Sequence, residues 1–284
     1  MENFKITKAT RTSAKIKVGI QGPSGSGKTL GSLKVAFGLT NDWSKITVID
    51  TEHGSANLYA HLGEFNVLEL KPPYTPERYI NALNAVVQSK AEVVIIDSIS
   101  HEWIGSGGIL EAHGKMSGNS FTNWAAITPR HNNFVETLLA APIHILSTIR
   151  TKQDYVLVQK NGKQVPEKVG LKGLTREGMD YEFTLVFDVD INHLAKASKD
   201  RTSMFNDKDG FYLNEVVGHL ILEWCGFSPA SNLIKQIEAC SSLDDLYKLY
   251  EGNPDVQSLY KEDFLQRKKQ LSNLNGISHG NING

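Results

Sequence analysis

Apolar positions along this chain fall into two alternating rhythms. Four compact aliphatic blocks, Ile16–Ile20, Lys45–Ile49, Glu92–Ile96 and Ile143–Ile149, are rich in Val and Ile and read as strands buried on both faces. Between them the spacing becomes helical. Thr29 to about Leu39 places Leu30, Leu33, Ala36 and Phe37 on one face, and Pro76–Lys90 is amphipathic with proline near its start. Thr128–Ala140 carries Pro129, which predicts a helix beginning there with proline in its first turn. Strands alternating with helices predict βαβ units, hence an α/β fold with a mainly parallel sheet.

After residue 150 the rhythm changes. Tyr155–Gln159 and Gln164-Val165 flank Asn161-Gly162, the signature of a β-hairpin closed by a type I′ turn. A basic stretch punctuated by Gly170, Gly173 and Gly178 follows. Tyr181–Ile191 then reads as a strand, with Arg201–Phe205 a candidate for one more. At Gly226–Pro229 the composition shifts. We therefore expect a core over 1–226, a helical module over 227–273 that suits a cap, and an Asn/Gly-rich disordered tail over 274–284.

Bulk composition narrows the class. Of 284 residues, 40% are apolar and 21% charged, enough to bury a core. The two cysteines, Cys225 and Cys240, have neither metal nor pairing spacing, which suits a reducing compartment. No run reaches the ~18 apolar residues of a membrane helix, so a cytoplasmic protein is expected. The net charge of −1 hides an uneven distribution. Residues 1–17 carry five Lys/Arg against one Glu, and residues 150–178 carry seven against three acids. Two basic segments on an acidic body point to a localised polyanion site.

The first strand runs straight into Gly22-Pro23-Ser24-Gly25-Ser26-Gly27-Lys28-Thr29, followed by Leu30. Glycines let successive N–H groups point inward at a triphosphate; Lys28 supplies charge to the β/γ-phosphates and the Thr29 hydroxyl ligates Mg²⁺. The helix that follows adds the positive end of its dipole. Asp97 closes the Glu92–Ile96 block, the place for the carboxylate on the Mg²⁺ side. A water-activating acid is also needed. Ser98 occupies the position directly after Asp97, which leaves Glu52, beyond the strand ending in Asp50, as first choice and Glu102 as competitor.

The order of these parts resembles the RecA/RadA recombinase ATPases, and more narrowly the phage-encoded minimal RecA-like ATPases linked to single-strand annealing. The motifs are the phosphate loop, Asp50-Thr51-Glu52-His53, Asp97-Ser98, and Ser147-Thr148-Ile149-Arg150-Thr151-Lys152. The likeness covers roughly residues 14–225. It implies a RecA-like core that hydrolyses ATP with Mg²⁺, a homo-oligomer (ring or short filament) with ATP between subunits, and a second recombination protein such as a single-strand-binding protein as partner. Thr148 stands at the sensor place, where recombinases usually have Gln. Single-stranded DNA is expected on two loops, Gly105–Ser120 and Thr151–Gly178. Arg150, Lys152, Lys160, Lys163, Lys168, Lys172 and Arg176 would meet phosphates, and Tyr155 would stack on a base. Trp103, Phe121 and Trp124 read as core. Lys199 or Arg201 would reach the neighbouring subunit's γ-phosphate, as an arginine finger does.

Three other classes share parts of this pattern. Thr151-Lys152-Gln153-Asp154 mimics a guanine-reading motif, but Asp97 is followed by Ser-Ile-Ser and no D-x-x-G occurs there. A small-molecule P-loop kinase would use the basic segment as a lid over its acceptor. A packaging or helicase motor shares the core but wants further domains. The placement of Glu52 and the two basic segments favour the DNA-linked ATPase.

Overall fold

The computed structural model describes residues 14–160, 163–206, 208–226, 236–252 and 261–277. They divide into two compact units, one of them Ala14–Ile221 and the other reaching from Leu222 onward. The first unit is built on a nine-stranded sheet. Strands β1 (Lys17–Gly22), β2 (Ile46–Asp50), β3 (Asn66–Glu69), β4 (Val93–Asp97), β5 (His144–Lys160) and β7 (Leu185–Val189) run parallel in the order β3-β2-β4-β5-β1-β7. β8 (Leu194–Asp200) and β9 (Phe211–Tyr212) continue it antiparallel beyond β7, and β6 (Lys163–Gly173) pairs antiparallel with the outer half of β5. This is the mostly parallel α/β sheet of a P-loop NTPase core.

Helices cover the sheet. They are α1 (Lys28–Thr40), α2 (Pro76–Gln88), α3 (Ser100–Ile104), α4 (Ile109–Gly114), α5 (Ser120–Ala140), α6 (Met179–Glu182) and α7 (Glu215–Trp224). All five residues of β2 and of β4 are buried, which explains their unbroken aliphatic runs. One apolar cluster joins Ile96, Ile145 and Val186 of the sheet to Leu83 of α2 and Phe134 and Leu138 of α5. α2 starts where the sequence predicts, since Thr75 accepts the N–H of Arg78 and Pro76 takes the first helical position. No described helix is long and apolar enough to cross a membrane.

Several local expectations are corrected. α5 starts at Ser120, not Thr128, and holds Pro129 in its interior. Pro129 and Ala125, whose carbonyl loses its helical partner, are both exposed, so water can satisfy that carbonyl. Tyr181 and Glu182 belong to α6, and the strand starts only at Leu185, where burial on both faces begins. Lys199 and Asp200 lie in β8. Arg201–Phe205 forms a tight bend and not a strand, because the Asp200 carboxylate accepts the N–H groups of Thr202, Ser203 and Phe205. β3 was not anticipated; only two of its four residues are even half-buried. In the second unit Ile237, Cys240, Leu246, Phe264 and Leu271 form a small core. Its last helix runs Lys261–Ile277, so residues 274–277 are helical and not part of a disordered tail. The intrinsic penalty of Asn and Gly is small enough for a helix already begun to run on. Residues 278–284 lie outside the described set.

Two buried cation-forming side chains brace the start of β1. Lys17 Nζ donates to the carbonyls of Ala141 and Ile143, both at 2.7 Å, and burial lowers its pKa to about 8. His144 Nδ1 accepts the N–H of Ile16 at 3.2 Å, so its ring must be neutral, and burial lowers its pKa to about 3. Between pH 6.5 and 3 the unfolded chain binds a proton that the folded chain refuses. Stability is therefore full above pH 6.5 and is lost as pH falls towards 3. The loss between pH 6.5 and 5 should reach about 2 kcal/mol. Urea midpoints at the two pH values check it, and His144→Gln, which cannot titrate, should flatten the dependence.

Candidate nucleotide site and the basic ribbon

The candidate site forms at the C-terminal edge of the parallel strands, where α/β sheets bind ligands. Between β1 and α1 the backbone of Gly25 and Gly27 takes φ of +79° and +87°, a region that side-chain-bearing residues avoid. This curl carries residues 24–30 around a cleft of about 810 Å³. Glu52, Asp97, Arg150 and Thr151 line the same cleft. Lys28 Nζ donates to the carbonyls of Gly22 and Pro23, at 2.9 and 2.7 Å, which sets it at the base of the loop. Burial lowers its pKa, while the nearby Asp97 and Glu52 carboxylates act the other way.

Behind the loop sits a triad that only the fold assembles. Thr29 Oγ1 donates to Asp97 Oδ2 at 2.6 Å, and Thr148 Oγ1 donates to Asp97 Oδ1 at 2.5 Å. Asp97 is 3% exposed, and burial raises its pKa. Its Thr148 contact arises because β5 inserts between β1 and β4, setting Ser147 beside Ile96 near the end of β4 and Thr148 beside Ile20 of β1. A hydroxyl beside a carboxylate is a hard-oxygen pair that suits Mg²⁺, which takes few protein ligands and completes its shell from phosphate and water. Among the described residues no group of three His, Cys, Asp or Glu could hold a metal by itself. The residues present fit that ion.

Glu52 and Glu102 separate clearly. Glu52 faces the cleft, its Oε1 accepting from Ser98 Oγ at 3.1 Å and from Arg150 Nε at 2.7 Å, while Arg150 Nη2 donates to Oε2. Glu102 is 1% exposed and turned away from the cleft, with both oxygens bonded to His131 Nδ1 at 3.0 and 3.1 Å. A second layer ties the ends of β2 and β4 together. Thr51 Oγ1 accepts the N–H of Ser98 at 2.8 Å and pairs with His101 Nδ1 at 2.7 Å. The Tyr79 hydroxyl donates to the Ser98 carbonyl at 2.8 Å.

Other expected residues lie elsewhere. Lys199 donates to the carbonyls of Asp180 and Tyr181, and Arg201 to that of Tyr181; neither lines the cleft. The segment expected as a DNA-holding loop over Thr151–Gly178 is mostly a two-stranded ribbon. β5 runs on without a break from the core into it, and its rungs extend from Thr151↔Gly173 to Lys160↔Lys163. Residues 161 and 162 of the expected turn fall outside the described set. Tyr155 and Lys168 share one rung and Lys160 and Lys163 another. Lys152 is exposed, Lys172 lies 3.7 Å from Glu177, and Arg176 Nη1 donates to Asn132 at 2.8 Å. The other expected loop, Gly105–Ser120, contains α4. Trp103 and Trp124 stack with centroids 5.8 Å apart, and His113 stacks on Trp124 at 4.2 Å. Phe121 is not a core residue; in the first turn of α5 it is 86% exposed.

The cleft also has residues that sequence reasoning missed: Ser55 and Tyr59, His193, and Tyr212 with Asn214. They come from a 3₁₀ segment, the β7–β8 connection, β9 and the β9–α7 connection, which carry no motif.

The family model described as the AAA domain matches residues 14–212, which is this sheet with its loops. The chain belongs to the AAA domain family. No curated protein matches it. As an AAA-type P-loop ATPase domain, it has the phosphate loop, Asp97 and Glu52 on one cleft, and the ribbon rising from the strand that separates the first two.

Proposed function

We propose that this AAA domain is a Mg²⁺-dependent ATPase of the RecA-like, phage-type kind that binds single-stranded DNA and promotes annealing or recombination. The observation that carries this reading is the path of β5. Thr148 touches Asp97, Arg150 touches Glu52, and the next residue, Thr151, begins the basic ribbon. One continuous strand thus connects the hydrolytic carboxylates to the segment with seven basic residues against three acids.

In this reading the loop N–H groups and Lys28 bind the β- and γ-phosphates. Mg²⁺, held by Thr29 and through water by Asp97, would offset charge on the transferring phosphoryl group. Glu52 orients a water and takes its proton as the new P–O bond forms and the bond to the ADP oxygen breaks. Tyr59 and Tyr212 offer aromatic surface for the base at the rim of the cleft. Copies assemble head-to-tail, with Lys199 or Arg201 of one protomer serving its neighbour's cleft.

The test is ATP hydrolysis with and without oligothymidylate, with particle size measured by light scattering. Acceleration together with growth in size supports the reading. A particle that stays monomeric and whose turnover ignores the oligonucleotide removes it. Neutralising Lys160, Lys163 and Lys168 together should lower the slope of log affinity against log salt by about 2 for single-stranded DNA. An unchanged slope takes the ribbon out of the interface.

A further inference from the structure

Arg150 stands where the cleft and the ribbon meet, and its guanidinium is already engaged. Two of its nitrogens grip the two oxygens of Glu52, and the Ser98 hydroxyl donates to one of those oxygens. A carboxylate acts as a base only through an oxygen turned to the water it activates. Here both oxygens are turned to the arginine. The Arg150 backbone is fixed, since its N–H donates to Ser100 Oγ at 2.9 Å and its carbonyl accepts the N–H of Leu174 at 2.7 Å. Only the side chain can leave. The Arg150 side chain is 44% exposed against 17% for Glu52, so an incoming anion can reach the guanidinium without unpacking the carboxylate.

We propose that Arg150 is a clasp on Glu52, closed in the resting protein and opened when a phosphodiester on the ribbon takes the guanidinium. This deepens the function proposed above and rests on its assignment of Glu52 as base and the ribbon as the polyanion contact. It replaces the simpler role of Arg150 as one more phosphate contact. Exchange of a carboxylate for a phosphodiester swaps one forked, charge-assisted pair for another. The two states are therefore close in free energy, and a polymer held by the neighbouring lysines can shift the balance. Arg150 is a positioning residue here: it acts on the reaction only through Glu52.

The experiment is steady-state ATP hydrolysis by the full chain carrying Arg150→Ala, with and without oligothymidylate. Basal kcat should rise about ten-fold, which corresponds to a clasp closed ~90% of the time. KM for ATP should stay within about two-fold, and the oligonucleotide should add little further. Arg150→Lys keeps the charge but not the fork, and should raise basal kcat in the same direction by about three-fold. It serves as well if the alanine variant folds poorly. A basal kcat that is unchanged or lower in both variants overturns the clasp. If the native protein still responds to oligothymidylate in that case, the proposed function stands without it. Should the native protein ignore the oligonucleotide while Arg150→Ala is faster, Arg150 still restrains Glu52, but its release by a phosphodiester is overturned together with the DNA reading.

Discussion

Lys28→Ala is expected to abolish ATP turnover, a loss of at least ~10²-fold, while leaving the fold intact. Lys28 is the only lysine of the phosphate loop, and its ammonium sits at the base of the cleft on the Gly22 and Pro23 carbonyls. Without it, charge that builds on the β/γ oxygens during transfer has no fixed cation from the loop. The same substitution should cost little stability. Burial already disfavours the charged lysine, as its lowered pKa shows, so removing it relieves a desolvation penalty that its two carbonyl bonds only partly offset. The check is kcat beside a urea midpoint. Undiminished turnover in a folded Lys28→Ala protein would show that catalysis lies elsewhere.

Glu52→Gln should lower kcat by roughly 10²–10⁴-fold, the usual contribution of a positioned general base. The amide keeps the shape of the side chain and can still accept from Ser98, but it cannot take a proton from water. Nucleotide affinity should change little, because the loop and Lys28 make the phosphate contacts. A slow enzyme with an unaltered KM is the expected signature. Glu102→Gln gives the contrast. That carboxylate is buried against His131 and turned from the cleft, so its loss should register in stability and leave kcat within a few-fold. Reversed outcomes for the two variants would exchange the roles assigned to them.

These expectations draw unequally on sequence and on structure. The phosphate loop was legible because all its chemistry lies in eight consecutive residues between a strand and a helix. Asp97 was legible as well, because a carboxylate directly after four aliphatic residues marks a strand end. The choice of Glu52 over Glu102 was argued from position, and burial gives it a physical basis, since one carboxylate lines the cleft and the other is enclosed with His131. The start of α5 was misjudged because an exposed Pro129 was read as a boundary. Arg201–Phe205 reads as a strand in the sequence, but the Asp200 carboxylate gathers three of its N–H groups into a bend. Tyr59, His193 and Tyr212 went unseen because nothing local marks them.

From sequence alone come the α/β class, the phosphate loop and the acidic partners, all written in short-range pattern: runs of aliphatic residues, helical spacing, and a glycine-rich turn before a lysine. Tertiary structure decided that β5 lies between β1 and β4, that Thr148 meets Asp97 there, and that Arg150 closes on Glu52 from 98 positions away. Strand order is settled by which nonpolar faces bury one another across the whole sheet, and no stretch of a few residues records that choice. The loop is therefore written locally, whereas its adjacency to the ribbon through β5 exists only once the sheet has closed.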